Sequence, residues 1–173
     1  MAVSNLVSSA GPSGPLAWTV LSRVNASGTS VSFTGLSGYK SYRILGAQIK
    51  INVSGTEATR IRLNNDSSTI YQYYGVQWNS SSASSFQSIN ENGIWGGSYN
   101  SSQDVPVHFD CIIQAADQAN MKVANTNFHS NTATATYYQT TTNVPIGVLT
   151  SIVVTTNLGN AYNLGTLTLL GGN

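Results

Sequence analysis

The chain has very few charged residues. Asp, Glu, Lys and Arg make up 8% of its 173 residues, whereas they make up about a quarter of an ordinary soluble domain. Seven cations stand against six anions, which gives a formal net charge of +1. Because a soluble surface normally has about 25–35% charged residues, the composition indicates either a life outside the crowded cytoplasm or a surface that neighbours cover.

The placement of the charges argues against two classes of partner. Nucleic-acid binding requires clustered Lys and Arg, and the cations here are scattered apart from Arg60 and Arg62. The same scatter argues against a polybasic membrane anchor, and no apolar run approaches the ~20 residues that span a bilayer. The N-terminus has neither a basic leader nor a continuous apolar stretch. We therefore expect synthesis in a cytoplasm without export, and no nucleic-acid or membrane partner.

Cysteine and histidine are almost absent. The single Cys111 excludes an intramolecular disulfide, and its place on the apolar face of a predicted strand predicts a buried thiol with a raised pKa. His108 and His129 have no zinc-site spacing and stand beside no recognisable nucleophile. The spacing of the six carboxylates indicates no acid–base pair. The sequence thus predicts a protein that is not an enzyme, with no catalytic residue, no metal ligand and no cofactor.

The chain does contain clear β-strand periodicity. From Val105 to Ala115 the odd-numbered residues are apolar, and a period of two is typical of a half-buried strand. In the stretch from Leu45 to Val53 the odd-numbered residues are likewise expected to share the core face. Clusters of Asn, Asp, Gly and Ser separate such stretches, and residues 64–67 predict a turn stabilised by side chains rather than a calcium site. About ten short strands between turns predict an all-β fold, an antiparallel β-sandwich of jelly-roll type.

The organisation of the chain predicts one domain with an arm. Residues 1–16 lack periodicity and contain two Gly and two Pro, so we expect an N-terminal arm that is either flexible or docked on a neighbouring subunit. Residues 17–173 form the single β-sandwich domain. Residues 132–142 and 151–170 contain no charge, although natural sheets protect their edges with Lys, Pro or bulges. We therefore expect symmetry-related copies to cover the edges of these strands.

Aromatic residues are the strongest candidates for contacts with a partner. Tyr and Trp combine a flat apolar ring with one polar atom, which suits sugar stacking, protein interfaces and the core alike. In the adjacent pairs Tyr73–Tyr74 and Tyr137–Tyr138 the two rings must point to opposite faces of a strand. Interface, glycan contact and core all stay open for the candidates, which are Tyr71, Tyr74, Trp78, Trp95 and Tyr138.

Three stretches resemble a known group of proteins. They are VSFTGLSGYKSYRIL at residues 31–45, IRLNND at residues 61–66 followed by Tyr71, and LGTLTLLG at residues 164–171. The Tyr-Lys-x-Tyr-Arg and Arg-Leu-Asn-x-Asp runs are the most distinctive parts. Together the stretches resemble small β-sandwich structural proteins of tailed bacteriophages, which are capsid decoration (cement) proteins and components of tails or fibres. The resemblance extends over most of residues 18–171.

The resemblance implies a non-enzymatic role in a virion and assembly as a homotrimer. On this interpretation the chain is a capsid decoration protein that stabilises the phage head, with itself and the major capsid protein as partners. The alternative is a tail-fibre or receptor-binding module that recognises host surface glycans through residues 71–78. A hydrolase of cell-wall sugars is a third class, and the sequence offers no acid–base constellation for it.

Overall fold

The computed structural model describes residues 17–79, 82–101, 104–119, 122–130 and 136–173, and the expected arm lies outside the described residues. The described residues form twelve β-strands and no helix. The strands are β1 (Trp18–Asn25), β2 (Ser30–Thr34), β3 (Ser41–Ile51), β4 (Thr56–Leu63), β5 (Tyr71–Asn79), β6 (Ser82–Glu91), β7 (Ile94–Asn100), β8 (Val107–Gln114), β9 (Lys122–Ser130), β10 (Thr136–Val144), β11 (Ser151–Thr156) and β12 (Tyr162–Gly172).

The strands form two antiparallel sheets that pack in a sandwich-like arrangement. The long sheet has the order β1-β12-β3-β8-β9-β10-β5-β6, and the short sheet has the order β2-β11-β4-β7. The predicted all-β, antiparallel sandwich is confirmed. Apolar side chains from both sheets form one core, whose fully buried members include Ile44, Ile49, Ile61, Leu63, Ile94, Ile113, Ile152 and Leu167.

Strand β8 has the alternation that the sequence predicts. Phe109, Cys111 and Ile113 are buried, while His108 and Asp110 lie on the other face and are partly exposed. Cys111 has no exposed surface, and burial raises the pKa of its thiol to about 12. The prediction of a buried thiol with a raised pKa is confirmed.

Strand β3 does not keep one alternation along its length. Ile44 and Ile49 are both fully buried, which requires a change of phase between them. A register shift lies just before Ile49, where Gln48 adopts a positive φ of 55°. Such a bulge inserts one extra residue and reverses the faces that follow. The prediction that Leu45 and Ala47 share the core face with Ile49 is therefore wrong.

The long charge-free stretches form interior strands. β10 lies between β9 and β5, β11 between β2 and β4, and β12 between β1 and β3. The prediction that symmetry-related copies cover their edges is wrong, because strands of the same chain pair with both edges. The strands that end the sheets are β1 and β6 in the long sheet and β2 and β7 in the short sheet.

Strand β7 has no counterpart among the strands expected from the sequence. Its run contains Gly96 and Gly97, and glycine weakens the strand signal because it has no side chain to pack. The structure explains why glycine is needed. A Cβ atom on Gly97 would lie 2.2 Å from the ring of Phe128, and Gly97 has a φ of +110°. The two sheets approach so closely here that no larger residue fits.

One stretch of the phage-like resemblance forms a hydrogen-bonded turn. Asn64 Oδ1 accepts the backbone N–H of Thr150 at 2.8 Å. The hydroxyl of Tyr71 accepts the N–H of Leu63 at 3.0 Å and donates to the carbonyl of Asp66 at 2.9 Å. Asp66 Oδ1 accepts the hydroxyl of Ser68 and also its backbone N–H, the latter at 2.8 Å. These two hydrogen bonds, with the hydroxyl as the larger cause, lower the pKa of the Asp66 carboxyl. The turn predicted from the Asn and Asp residues is confirmed.

The other two stretches contact each other. The ring of Tyr39 lies over Gly171, where an added Cβ atom would meet it at 2.6 Å. Tyr39 also packs edge-on against the buried Tyr42, with 5.9 Å between the ring centroids. Tyr39, Tyr42, Asn64 and Asp66, which belong to the distinctive runs of the resemblance, thus stabilise the fold.

Candidate interaction surface on the β5–β6 hairpin

The hairpin of β5 and β6 exposes three apolar side chains. Tyr74, Val76 and Ile89 are 54%, 36% and 53% exposed. No charged residue occurs between positions 67 and 90. We call this outward face the hairpin surface and define it by Tyr74, Val76, Ser85, Gln87 and Ile89. It is neutral and partly apolar, which is typical of surfaces that other molecules cover.

Strand alternation and register bring these residues onto one face. Tyr73 is 5% exposed and points into the sandwich, so Tyr74 points outward. The prediction that the two rings face opposite sides is confirmed for this pair. Tyr74 pairs in register with Gln87 and Val76 with Ser85, and Gln87 Nε2 donates to the Tyr74 hydroxyl at 3.5 Å.

An aromatic cluster lies on the opposite side of the hairpin. The rings of Tyr73, Phe86 and Trp95 have centroid separations of 5.7 to 6.0 Å. Two of the three pairs are edge-to-face, and such pairs stabilise by ~0.5–1.5 kcal/mol beyond the area they bury. Because Trp95 belongs to β7, the cluster joins the hairpin to the short sheet.

A charged group joins the base of the hairpin to the short sheet as well. Glu91 Oε1 accepts the hydroxyls of Ser88 and Tyr73, the latter at 3.3 Å. Glu91 Oε2 lies 3.0 Å from Nη2 of Arg60 on β4, and Arg60 is 9% exposed. The ion pair and the aromatic cluster together hold the hairpin, and therefore the hairpin surface, in one orientation.

The aromatic residues predicted as contact sites occupy different environments. Tyr71 has no exposed surface and belongs to the core, where both hydrogen-bonding capacities of its hydroxyl are used. Tyr74 lies on the hairpin surface, and Trp95 is half-buried in the aromatic cluster. The backbones of Trp78 and Tyr138 lie in β5 and β10, and their side chains fall outside the described part of the structure.

Sequence reasoning missed three residues of the hairpin. Phe86 belongs to the aromatic cluster, and Val76 and Ile89 complete the hairpin surface. Strand β6 reads Ser-Ala-Ser-Ser-Phe-Gln-Ser-Ile-Asn-Glu, so its polar residues lie on both faces and hide the alternation. Only the register with β5 shows which of its residues share a face with Tyr74.

A buried carboxylate fixes the loop between β11 and β12. Glu57 is 2% exposed. Its oxygens accept the backbone N–H groups of Asn157 and Leu158 at 3.0 to 3.1 Å, and the side-chain amide of Asn160 at 2.8 Å. All these donors belong to the chain itself, so Glu57 has a structural role.

Two further carboxylates pair with cations on the long sheet. Asp104 accepts Lys50 Nζ at 3.0 Å and the hydroxyl of Tyr99 at 2.9 Å, and these hydrogen bonds, with the Lys50 one the largest cause, lower the pKa of Asp104. Asp110 receives two hydrogen bonds from Arg43, at 2.9 and 2.5 Å.

Three further features bear on the site: metal ligands, membrane-spanning helices and related proteins. Among the described residues, no three His, Cys, Asp or Glu side chains come together as metal ligands. The same residues contain no helix that is long and apolar enough to cross a membrane. No protein-family model and no curated protein matches the chain.

Proposed function

We propose that this chain is a non-enzymatic structural protein of a tailed-bacteriophage virion, and specifically a decoration protein that binds the head as a homotrimer and contacts the major capsid protein. The hairpin surface is the observation that supports this most. It is neutral and partly apolar, and the Arg60–Glu91 ion pair holds its hairpin in place. A rigid neutral surface suits a position that is permanently covered, since no charge opposes association.

The strand order supports a jelly roll, the form of sandwich expected from the sequence. If β1, β12 and the β8–β9 hairpin are set aside, eight strands remain. The short sheet, β2-β11-β4-β7, then contains the first, eighth, third and sixth of these eight strands in that order. In the long sheet, β3, β10, β5 and β6 follow one another, and they are the second, seventh, fourth and fifth. This is the order that two Greek keys produce in a jelly roll. We propose that β8–β9 is an insertion that widens one sheet of that fold.

The use of the carboxylates supports a role without catalysis. Five of the six acidic residues accept hydrogen bonds from the chain's own donors, which leaves little free carboxylate for acid–base work. The five are Glu57, Asp66, Glu91, Asp104 and Asp110.

Sedimentation and capsid binding test the proposal. We expect the purified chain to sediment with three times the mass of one chain, to bind phage heads that lack it, and to raise the temperature at which those heads disrupt. Exchanging Tyr74 and Ile89 for Ser should weaken head binding, because it removes the apolar part of the hairpin surface. The matched control is Leu158→Ser, since Leu158 is 70% exposed in a distant loop. A monomer that has no affinity for heads would overturn the proposal.

The receptor-binding alternative makes a different prediction. Tyr74 and Trp78 both belong to β5, and exposed aromatic rings stack on sugars. If the chain is a fibre module, the isolated protein binds host cells, and Trp78→Ala abolishes that binding while head stability stays unchanged. The position of the protein in micrographs of the assembled particle distinguishes the head from the tail.

A further inference from the structure

The four strands that end the two sheets differ in how they are protected. β1 carries Arg23 and a register shift after Val20, β2 has only five residues, and β7 contains two glycines and a register shift at Gly96. Charge, shortness and irregularity are the devices by which natural sheets prevent strand addition at an edge. Each of these three edges has at least one of them.

Strand β6 has none of these devices from Ser82 to Ser88. A register shift against β5 follows at Ile89 and Asn90, where Asn90 has a positive φ of 60°. Residues 82–88 extend over ~23 Å, and residues 82–90 include no charge and no proline. The residues from Ser82 to Ser85 are exposed whichever face they lie on, so no described part of the chain covers either face there. In the described sheet β6 has β5 as its one neighbour. Its outer edge therefore presents a regular row of backbone groups to another strand.

We propose that β6 pairs antiparallel with β6 of a second copy of this chain, so that the long sheets of two copies continue into each other about a two-fold axis. Such a contact goes beyond the proposed function, because it joins copies in pairs and is separate from the three-fold contact of the trimer. In an assembly of trimers it would connect one trimer to the next.

The neutrality of β6 is the reason for choosing a second copy as the partner. In a two-fold contact a strand meets itself, so a charge at or next to the axis would lie close to the like charge of the copy, which destabilises a sheet. Over residues 82–90 there is no charge to be repelled, and Glu91 is held at the base by Arg60. A charged peptide partner would instead be met by opposite charges, and this edge has none to offer.

The pleat of the sheet restricts the register of this contact. Residues that face each other across antiparallel strands lie on the same face of the sheet. A two-fold axis normal to the sheet keeps the two faces distinct, so residues that pair across it must be an even number of positions apart in the sequence. The axis therefore lies midway between one residue of β6 and the same residue of the second copy, and this residue faces its own copy. Residues one position away face each other only diagonally, ~8 Å apart, which is too far for a disulfide.

Cysteine scanning tests the contact directly. A single cysteine is introduced in turn at each position from Ala83 to Ser88, and the full-length protein is oxidised under mild conditions. We expect covalent dimers to form efficiently at one position and about tenfold less at its two neighbours, as the geometry of disulfides requires. Ser32→Cys on the exposed edge strand β2 is the control. The native Cys111 does not interfere, because it is fully buried.

A second pair of variants tests the contact without a cross-link. Lysine at whichever position from 83 to 88 cross-links best places two like charges at the two-fold axis, and we expect it to weaken self-association about tenfold or more in sedimentation equilibrium. Ser32→Lys is the control and should leave association unchanged. The proposal is overturned if no position from 83 to 88 cross-links above the control, if neighbouring positions cross-link equally, or if the lysine variant at the cross-linking position associates like the original chain. Failure of the trimer would appear instead at dilutions where the two-fold contact has dissociated, where the mass should be three times that of one chain and a lower mass would show that the trimer does not form.

Discussion

The two halves of the long sheet differ in the number and the exposure of their charged residues. In the near half, β1, β12, β3 and β8, ion pairs lie on the outer face, and Arg43 donates two hydrogen bonds to Asp110. The far half, β9, β10, β5 and β6, contains two charged residues, Lys122 and Glu91. Lys122 is fully buried and donates to backbone carbonyls of the chain, and Glu91 is paired with Arg60.

The two halves of the long sheet therefore differ in how readily their outer faces associate with another molecule. Charge keeps the near half hydrated and resists contact between copies. The far half exposes Tyr74, Val76 and Ile89 without a neighbouring free charge. We therefore expect association between copies to depend on the far half, and salt to affect the exposed ion pairs of the near half more than the neutral contacts of the far half.

The largest effect is expected from emptying the core of the far half. Phe128 on β9 is 4% exposed, and its ring lies against Gly97, which has no side chain that could fill the space. Phe128→Ala should lower the free energy of unfolding by about 3–5 kcal/mol, measured by urea denaturation. Leu45→Ala, on the partly exposed outer face of the near half, should cost about 1 kcal/mol. Equal losses at the two sites would contradict the assignment of Phe128 to the core and of Leu45 to the outer face.

An intermediate effect is expected from alkaline pH at Tyr71. Burial raises the pKa of its hydroxyl to about 12, whereas the unfolded chain ionises near pH 10. The stability from the protonated hydroxyl is thus fully present below about pH 10 and is lost as the pH rises through about 12, by about 2–3 kcal/mol. Tyr71→Phe lacks this loss but also lacks two hydrogen bonds, which costs about 1–2 kcal/mol at neutral pH.

The measurement is urea unfolding of both proteins between pH 7 and 12. Tyr71→Phe should be the less stable protein at pH 7, and the difference should shrink above pH 10. Burial also raises the pKa of Tyr162 in the near half, so both proteins lose some stability at high pH. A difference between them that stays constant with pH would contradict the argument.

The sequence predicted those features that depend on local pattern. The two-residue period identified β8, the Asn and Asp residues identified the turn at Asn64, and Cys111 was recognised as buried. Each of these three features depends on residues within a few positions of one another, so the local sequence is enough to predict it. The all-β sandwich followed from the same local signals.

What the sequence did not predict depends on contacts between distant residues. β7 was missed because Gly97 is required by Phe128, thirty-one positions away in the chain. The phase change in β3 depends on a bulge opposite β8. The hairpin surface depends on the register of β5 with β6, which places Tyr74 beside Gln87. The prediction that other copies cover the edges of the charge-free strands is wrong because composition does not show which strands pair.

The smallest effect is expected from salt on the ion pair of the near half. A double-mutant cycle of Arg43→Gln and Asp110→Asn should give a coupling energy of about 1 kcal/mol at low ionic strength, since both side chains are partly exposed. In 1 M salt the Debye length falls to about 3 Å, and the coupling should fall with it. The neutral pair of Tyr74 and Gln87 in the far half gives the matched cycle, from Tyr74→Phe and Gln87→Ala. Because no charge is involved, its coupling should not change with salt, and a salt response as large as that of Arg43 and Asp110 would show that the two halves do not differ in the way their charges suggest.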